Sequence, residues 1–437
     1  MEWASTLLII FGSLVFWMAS GMHIAFCFML INVIGMYVFF GGQAGLEYLI
    51  LSVYSSLATF ILEPILLFIL MGEVMFHSGL GANVVNTVDK WMGRIPGRLS
   101  LISVGAGTVL ATLTGASIAS TALLGSLLLP DMEKRGYKKA MTMGPIMGSG
   151  GLAIMIPPSA LAVFLGAIAE ISIGQLLIAI IVPGLLMASL YIAYIIIRCW
   201  LQPSLAPTYE VPSASFSEKL EATVRHVLPI GIVIFLVIGV IILGIATPSE
   251  AAATGTLGVF IMAIIKKQMG AEVVKKSING TLVTTGMIFL IIAGAKAFSQ
   301  ILSFTGATQG MAQFAVNLQI HPLLILAGMQ IVILILGCFL NVDAIILLTM
   351  PIFMLIVSAL KFNPVWFGTI SLINLEMSLI TPPFGLCLFV MKGVAPPNTT
   401  TGEIYKAALP FVGLQIIAMA LIMFFPTIAL WLPGFMQ

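Results

Sequence analysis

The chain has 437 residues, of which 60% are hydrophobic and only 8% charged, and its mean hydropathy is +1.17. A soluble domain carries about 25% charged residues, so a water-soluble globule is excluded and a polytopic helical membrane protein remains. A net charge of +2 offers no basic face for nucleic acid, which leaves membrane lipids, membrane proteins and a transported solute as partners.

The N-terminal "MEWASTLLIIFGSLVFW" lacks a basic leading region and a small-residue cleavage site, so it reads as a retained span rather than a signal peptide. It opens a long apolar stretch broken once, at "ASGMH", which predicts two helices turning at one membrane face. Further on, Lys90, Arg94 and Arg98 precede the segment 99–130, and Lys134, Arg135, Lys138 and Lys139 follow it. By the positive-inside rule both ends of that segment lie in the cytoplasm. Its arms, Leu99–Leu113 and Ile118–Leu129, fall short of the ~20 residues of a span, and "TGAS" between them is a natural turn. This predicts a re-entrant helical hairpin.

Next comes "GLAIMIPPSALAVFLG", where Pro157-Pro158 removes two backbone donors and breaks an otherwise apolar span. Residues 201–225, "LQPSLAPTYEVPSASFSEKLEATVR", are the single long polar segment and predict a cytoplasmic linker with a short surface helix. A second apolar stretch then breaks at "ATPSEA", where Glu250 reads as a helix-end stabiliser. A second hairpin, 322–357, has only His321 before it and Lys361 after it, which fits the opposite membrane side. In "MSLITPPFGLCLFV" the span is broken again, at Pro382-Pro383.

These elements are two copies of one unit. Gly72 aligns with Gly294 and Gly115 with Gly337 at the same offset, and Pro130 with Pro351, Pro158 with Pro383 and Pro183 with Pro410 at offsets only a few residues different. Five landmarks in register mark an internal duplication. The trace gives five crossings and one hairpin per copy, and an odd number of crossings inverts the copies about an axis in the membrane plane. All of the 18 Lys and Arg residues then fall in the cytoplasm except Lys361 outside and Lys296 within a span. The fold expected is an all-α inverted repeat with two hairpins and two broken helices, of the elevator type. Scaffold helices cover 1–55 and 226–279, and transport-side helices cover 56–200 and 280–437.

Non-helical backbone at membrane depth persists only where it is buried in protein or lines a cavity. Carbonyl and hydroxyl oxygens released there suit a hard cation such as Na⁺, so two pseudo-symmetric sodium sites are expected. The first joins Thr114, Ser117 and Ser120 to Ala153, Ile156 and Pro158, and the second joins Gly337, Asn341 and Asp343 to Met377, Ser378 and Thr381. The positive N-terminal ends of half-helices suit an anionic substrate group, with Gly115, Ala116, Pro157, Pro382 and Lys296 as its weaker candidates. Each has a plainer reading. Ser117 and Ser120 can bond back to helical carbonyls, Asp343 can be a structural pair, and Glu376 can orient the second break or partner a basic group. Lys296 can pair with Glu376, Glu63 or Glu73 instead of substrate. The four cysteines, scattered singly, read as packing residues, and His23, His77, His226 and His321 as interfacial.

"GASIAS", "LLLPDMEKRGYKKA", "IPPS" followed by "ISIGQLLIAIIVPGLL", "ATPSEAAATG" and "LITPPFGLCLFV" resemble, over almost the whole chain, the large membrane subunit of the tripartite ATP-independent periplasmic (TRAP) transporters. The resemblance implies a bacterial inner-membrane, sodium-driven elevator importer of organic acids such as a dicarboxylate or sugar acid. It implies no cofactor beyond Na⁺ as coupling ion. It implies two partners, a periplasmic substrate-binding protein and a small four-helix membrane subunit, both expected as separate polypeptides. The chain departs from the family pattern at Ala153 and Ser378, where glycine is usual, and at Glu63-Pro64. Two other classes compete: a sodium/carboxylate symporter without a binding protein, and an intramembrane hydrolase using Ser117 and a histidine such as His321, for which no second motif exists.

Overall fold

The computed structural model describes residues 3–80, 82–93, 95–114, 117–209 and 215–436. Among them there are helices and turns but no strand, as expected where lipid offers no partner for open backbone groups. Gly115 and Ala116 at the hairpin tip, Arg94 and linker positions 210–214 lie outside the described residues.

The first copy begins with α1 (Trp3–Ala19) and α2 (Ile24–Phe39), separated where "ASGMH" predicted a turn, with the His23 side chain accepting from the Ala25 N–H to cap α2. Helices α3 (Gln43–Leu57) and α4 (Glu63–His77) follow. Their separation was not foreseen; Pro64, with no N–H to give to a preceding turn, sits at the start of α4, where a proline is best tolerated. Then come α5 (Ala82–Trp91), α6 (Arg98–Thr114), α7 (Ser117–Lys134), α8 (Lys139–Gly150), α9 (Leu152–Met155), α10 (Ala160–Ile168), α11 (Ile173–Ala179) and α12 (Ile181–Leu201). The α6–α7 pair is the predicted hairpin, but α7 runs through Pro130 to Lys134 rather than ending at it. One missing backbone bond does not stop a helix packed on its neighbours.

In the second copy α13 (Phe216–Ala222), α14 (Leu228–Ile234) and α15 (Val240–Ile242) join through π-helical turns into one span, Phe216–Ile242. They are followed by α16 (Pro248–Ile265), α17 (Ala271–Phe304), α18 (Ala307–Asn317), α19 (Pro322–Gly337), α20 (Val342–Ala359), α21 (Pro364–Ile380), α22 (Leu386–Val394), α23 (Thr401–Phe424) and α24 (Thr427–Leu430). Thr247 and Glu250 form a reciprocal capping box at the start of α16, the helix-end role read from "ATPSEA". Hairpin α19–α20 answers α6–α7, and α17 covers in one helix the stretch that α3 and α4 share. Among the described residues six helices are long and apolar enough to cross a membrane, and a seventh span results if the bent pair Lys139–Met155 and Ala160–Ile168 counts as one.

Two packed groups emerge. In one, α17 lies along α2, α3 and α4, with α16 against α4. In the other, α8 lies against α6, α7 and α23, and α21 against α19, α20, α22 and α23. The sequence boundaries at residues 56 and 280 fall at the end of α3 and inside α17, yet α4 and α17 pack with the first group. Contacts of α4 with α6 and α10, and of α17 with α20, join the groups. Within the second group small residues permit close approach: a Cβ on Gly144 or Gly148 would overlap the Phe411 ring of α23.

The ends of the first hairpin are clamped by the linker. Arg98 is buried, pairs with Asp89 at 2.8 Å and donates through Nη1 to the Tyr209 hydroxyl at 3.0 Å. The Arg135 guanidinium lies 3.7 Å from the centroid of the same ring. The Lys138 N–H donates to the Leu205 carbonyl at 2.8 Å.

Candidate functional site

Both double prolines interrupt a span in the same way. In the first copy Ile156 is extended (φ −119°, ψ 113°), the Pro157–Pro158 bond is cis, and the chain resumes as α10 after a bend of 49°. Ser159 restarts the helix, its Oγ accepting from the Ala162 N–H at 3.2 Å. In the second copy Thr381 is extended (φ −90°, ψ 126°), Pro382–Pro383 is cis, and α22 follows at Leu386. The chemical consequence is local. A helical carbonyl accepts from the N–H four residues on, and for Ala153, Ile154, Ser378 and Leu379 that residue is a proline with no N–H.

Each break packs against its own hairpin. Gly150 lies so near α7 that a Cβ there would overlap Thr121 Oγ1 and come within 3.2 Å of the Ser117 carbonyl oxygen. This places Gly150, three residues before Ala153, against Ser117 of α7, in which Ser120 is also buried. Thr114 ends α6. In the second copy Gly337, the last residue of α19, abuts Ser378, whose side chain a Cβ would strike, and Cys338 Sγ is 3.6 Å from the Pro382 carbonyl oxygen. Ser378 Oγ donates to the Leu375 carbonyl at 2.6 Å and Thr381 Oγ1 to the Met377 carbonyl at 2.7 Å. Donation uses the hydroxyl proton and leaves oxygen lone pairs available to a cation. Asn341 caps α20, its Oδ1 accepting from the Ala344 N–H at 3.1 Å, and half-buried Asp343 sits in the first turn, where a carboxylate meets the positive end of the helix.

Glu376 is where sequence reasoning fell short. Wholly buried, it neither partners a basic group nor acts on its own break alone: Oε2 accepts from Ser117 Oγ at 2.8 Å, across to the other copy. Oε1 has no hydrogen-bond partner among the described residues and packs against Gly151, where a Cβ would collide with it. No signal in the sequence links positions 117 and 376; only the inverted packing does.

Lys296 stands apart from the other substrate candidates. Its Nζ is 2.8 Å from Glu170 Oε1, at the end of the first broken span, rather than near Glu376, Glu63 or Glu73. Glu73 instead has His77 Nε2 at 3.2 Å. The Lys296–Glu170 pair borders a cavity of about 1170 Å³ between the two packed groups, also lined by Ser55, Thr59, Ser299 and Ser303. Pro157 and Pro382 lie at the two breaks, away from this lining.

Comparison with known proteins agrees with this architecture. The family model described as the tripartite ATP-independent periplasmic transporter, DctM component, matches residues 11–428. The C4-dicarboxylate TRAP transporter large permease protein DctM of Pseudomonas aeruginosa is 32% identical over 372 residues, covering 84% of this chain and 85% of that protein. The ectoine TRAP transporter large permease protein TeaC of Halomonas elongata is 28% identical over 402 residues, 92% of each. In fold, the chain is similar to the crystal structure of the YdaH transporter of Alcanivorax borkumensis, with a TM-score of 0.67 at 15% identity over 92% of this chain and 98% of that one. These relatives are named transporter permeases, not enzymes, which removes the hydrolase reading based on Ser117 and His321. With two packed helical groups, paired hairpins and breaks, and a family match over nearly its whole length, the chain is a multi-pass inner-membrane protein and belongs to the DctM component, or large permease, family of the tripartite ATP-independent periplasmic transporters.

Proposed function

We propose that this permease imports a small organic acid by sodium coupling and an elevator movement. The acid is delivered by a periplasmic substrate-binding protein, and a small four-helix membrane subunit completes the assembly. The observation that carries the reading is the pair of equivalent breaks, each with carbonyls that lack their helical i+4 N–H donor beside a hairpin, although the Ser378 carbonyl accepts instead from the Thr381 N–H at 3.3 Å. Sodium site 1 takes Thr114, Ser117, Ser120, Ala153, Ile156 and Pro158. Sodium site 2 takes Gly337, Asn341, Asp343, Met377, Ser378 and Thr381. The starts of α10 and α22 supply positive helix ends to an anionic group, and the printed name of the Pseudomonas relative, a C4-dicarboxylate permease, supports a carboxylate substrate. The group holding both hairpins and both broken spans is the moving body, and the group around α2, α3, α4, α16 and α17 is the scaffold.

The test is uptake of a radiolabelled C4-dicarboxylate by proteoliposomes containing the chain, the small subunit and the cognate binding protein. Uptake that needs both an inward sodium gradient and the binding protein is the expected result. Uptake without the binding protein favours a self-sufficient sodium/carboxylate symporter, and uptake indifferent to sodium overturns the coupling.

A further inference from the structure

Helix α21 carries two buried polar side chains that reach into different hairpins. Asn374 Nδ2 donates to the Gln330 carbonyl oxygen at 2.6 Å and to Gln330 Oε1 at 3.0 Å, tying α21 to α19 of the second hairpin. Glu376, half a turn further on, accepts from Ser117 at the start of α7, in the first hairpin. Ser117 belongs to the first proposed sodium site, whereas Met377, Ser378 and Thr381, next along α21, belong to the second. Gly151, at the entrance to the first break, has no side chain and so leaves the carboxylate its place against Ser117. Among the described residues no Lys, Arg or His pairs with Glu376.

We propose that Glu376 is a positioning residue that couples the two sodium sites across the boundary between the copies; this rests on the sodium reading above. Filling site 1 fixes Ser117, whose hydroxyl then holds the Glu376 carboxylate, and with it the last turn of α21 in the geometry that site 2 requires. The reverse holds equally, because coupling between binding sites is reciprocal. A buried carboxylate without a basic partner also favours cations in its neighbourhood, since charges interact more strongly away from water. The sites should therefore fill together, and the moving body should carry both ions or neither.

The experiment is the sodium dependence of uptake in the full assembly for wild type, Glu376→Gln, Glu376→Leu and Gly151→Ala, each checked for monodispersity and melting temperature. Wild type should give a sigmoidal curve with a Hill coefficient approaching the number of coupled sites. Glu376→Gln, which can still accept from Ser117, should remain sigmoidal. Glu376→Leu should flatten the curve to a Hill coefficient of about 1 and raise half-saturating sodium about tenfold, within the range of typical site-to-site coupling. Gly151→Ala keeps the carboxylate but displaces it, and should flatten the curve likewise; it decides the matter if Glu376→Leu does not fold. Folded Leu or Ala variants with the wild-type curve overturn the coupling alone, as does a Gln variant as flat as Leu. A wild type indifferent to sodium overturns both this inference and the reading on which it rests.

Discussion

Ser117 and Gly337 show how little chemistry each break needs from its hairpin. Ser117 supplies a hydroxyl whose proton goes to Glu376, and Gly337 supplies only the absence of a side chain against Ser378. Replacing Ser117, Ser120 or Asp343 by alanine should lower apparent sodium affinity about tenfold each, the loss of one charge-assisted contact, while leaving membrane insertion intact. Sodium titration of uptake checks this, and three unchanged curves would remove the site assignments. Gly337→Val tests close packing instead: added bulk against Ser378 should destabilise by about 1–3 kcal/mol, read as a lower melting temperature in detergent. The prolines, glycines and hydroxyls of these sites were legible in the sequence because their chemistry is local. The Ser117–Glu376 bond was not, because it depends on how two distant copies pack.

At the scale of elements, the linker is more than a tether. Tyr209 stands between Arg98 and Arg135, at the two ends of the first hairpin, so Tyr209→Ala should cost about 1–2 kcal/mol through one hydrogen bond and the cation–π contact. Unaltered thermal unfolding would mean the clamp carries no stability. The loop between α7 and α8 adds a pH signature. Burial pushes the Tyr137 hydroxyl up to about 12 from its usual 10.0. Below pH 10 both folded and unfolded chains keep this proton, and between 10 and 12 only the folded chain does, so stability should fall as pH rises through that window. Tyr137→Phe should shallow the fall, as measured by melting temperature against pH. The half-exposed Lys296–Glu170 pair is different: such pairs contribute about 0–1 kcal/mol, so Lys296→Ala should barely move the melting temperature. Loss of uptake in that variant would then report on the cavity rather than on folding.

For the molecule as a whole, movement of one packed group against the other requires the contacts between them to be breakable. The cavity bordered by α17 and α20 lies on that boundary. Cysteines at Ser299 and Met354, which line it from opposite groups, should accept a short bifunctional maleimide. The cross-linked protein should then bind sodium but not transport, and full uptake with the cross-link verified would favour a fixed site with gates over a moving body. Inverted topology has its own check. Single cysteines near Lys134 and near Lys361 should label from opposite membrane faces, and labelling from one face would contradict the inversion.

What the sequence by itself determined follows from properties carried by single residues or short runs. Composition dictated a helical membrane protein, since apolar segments in lipid must satisfy their own backbone. Two double prolines dictated breaks in two spans, because a missing N–H is absent in any fold. The landmarks in register revealed the duplication, and the motifs around them indicated the family. Tertiary structure decided what depends on chain segments meeting in space. It divided α3 from α4, carried α7 past Pro130, gave Lys296 the acidic partner Glu170 rather than Glu376, Glu63 or Glu73, and joined Glu376 to Ser117. The reason is the same in each case: a side chain's partner is set by which helices pack together, and inverting one copy against the other juxtaposes residues that sequence separation keeps apart.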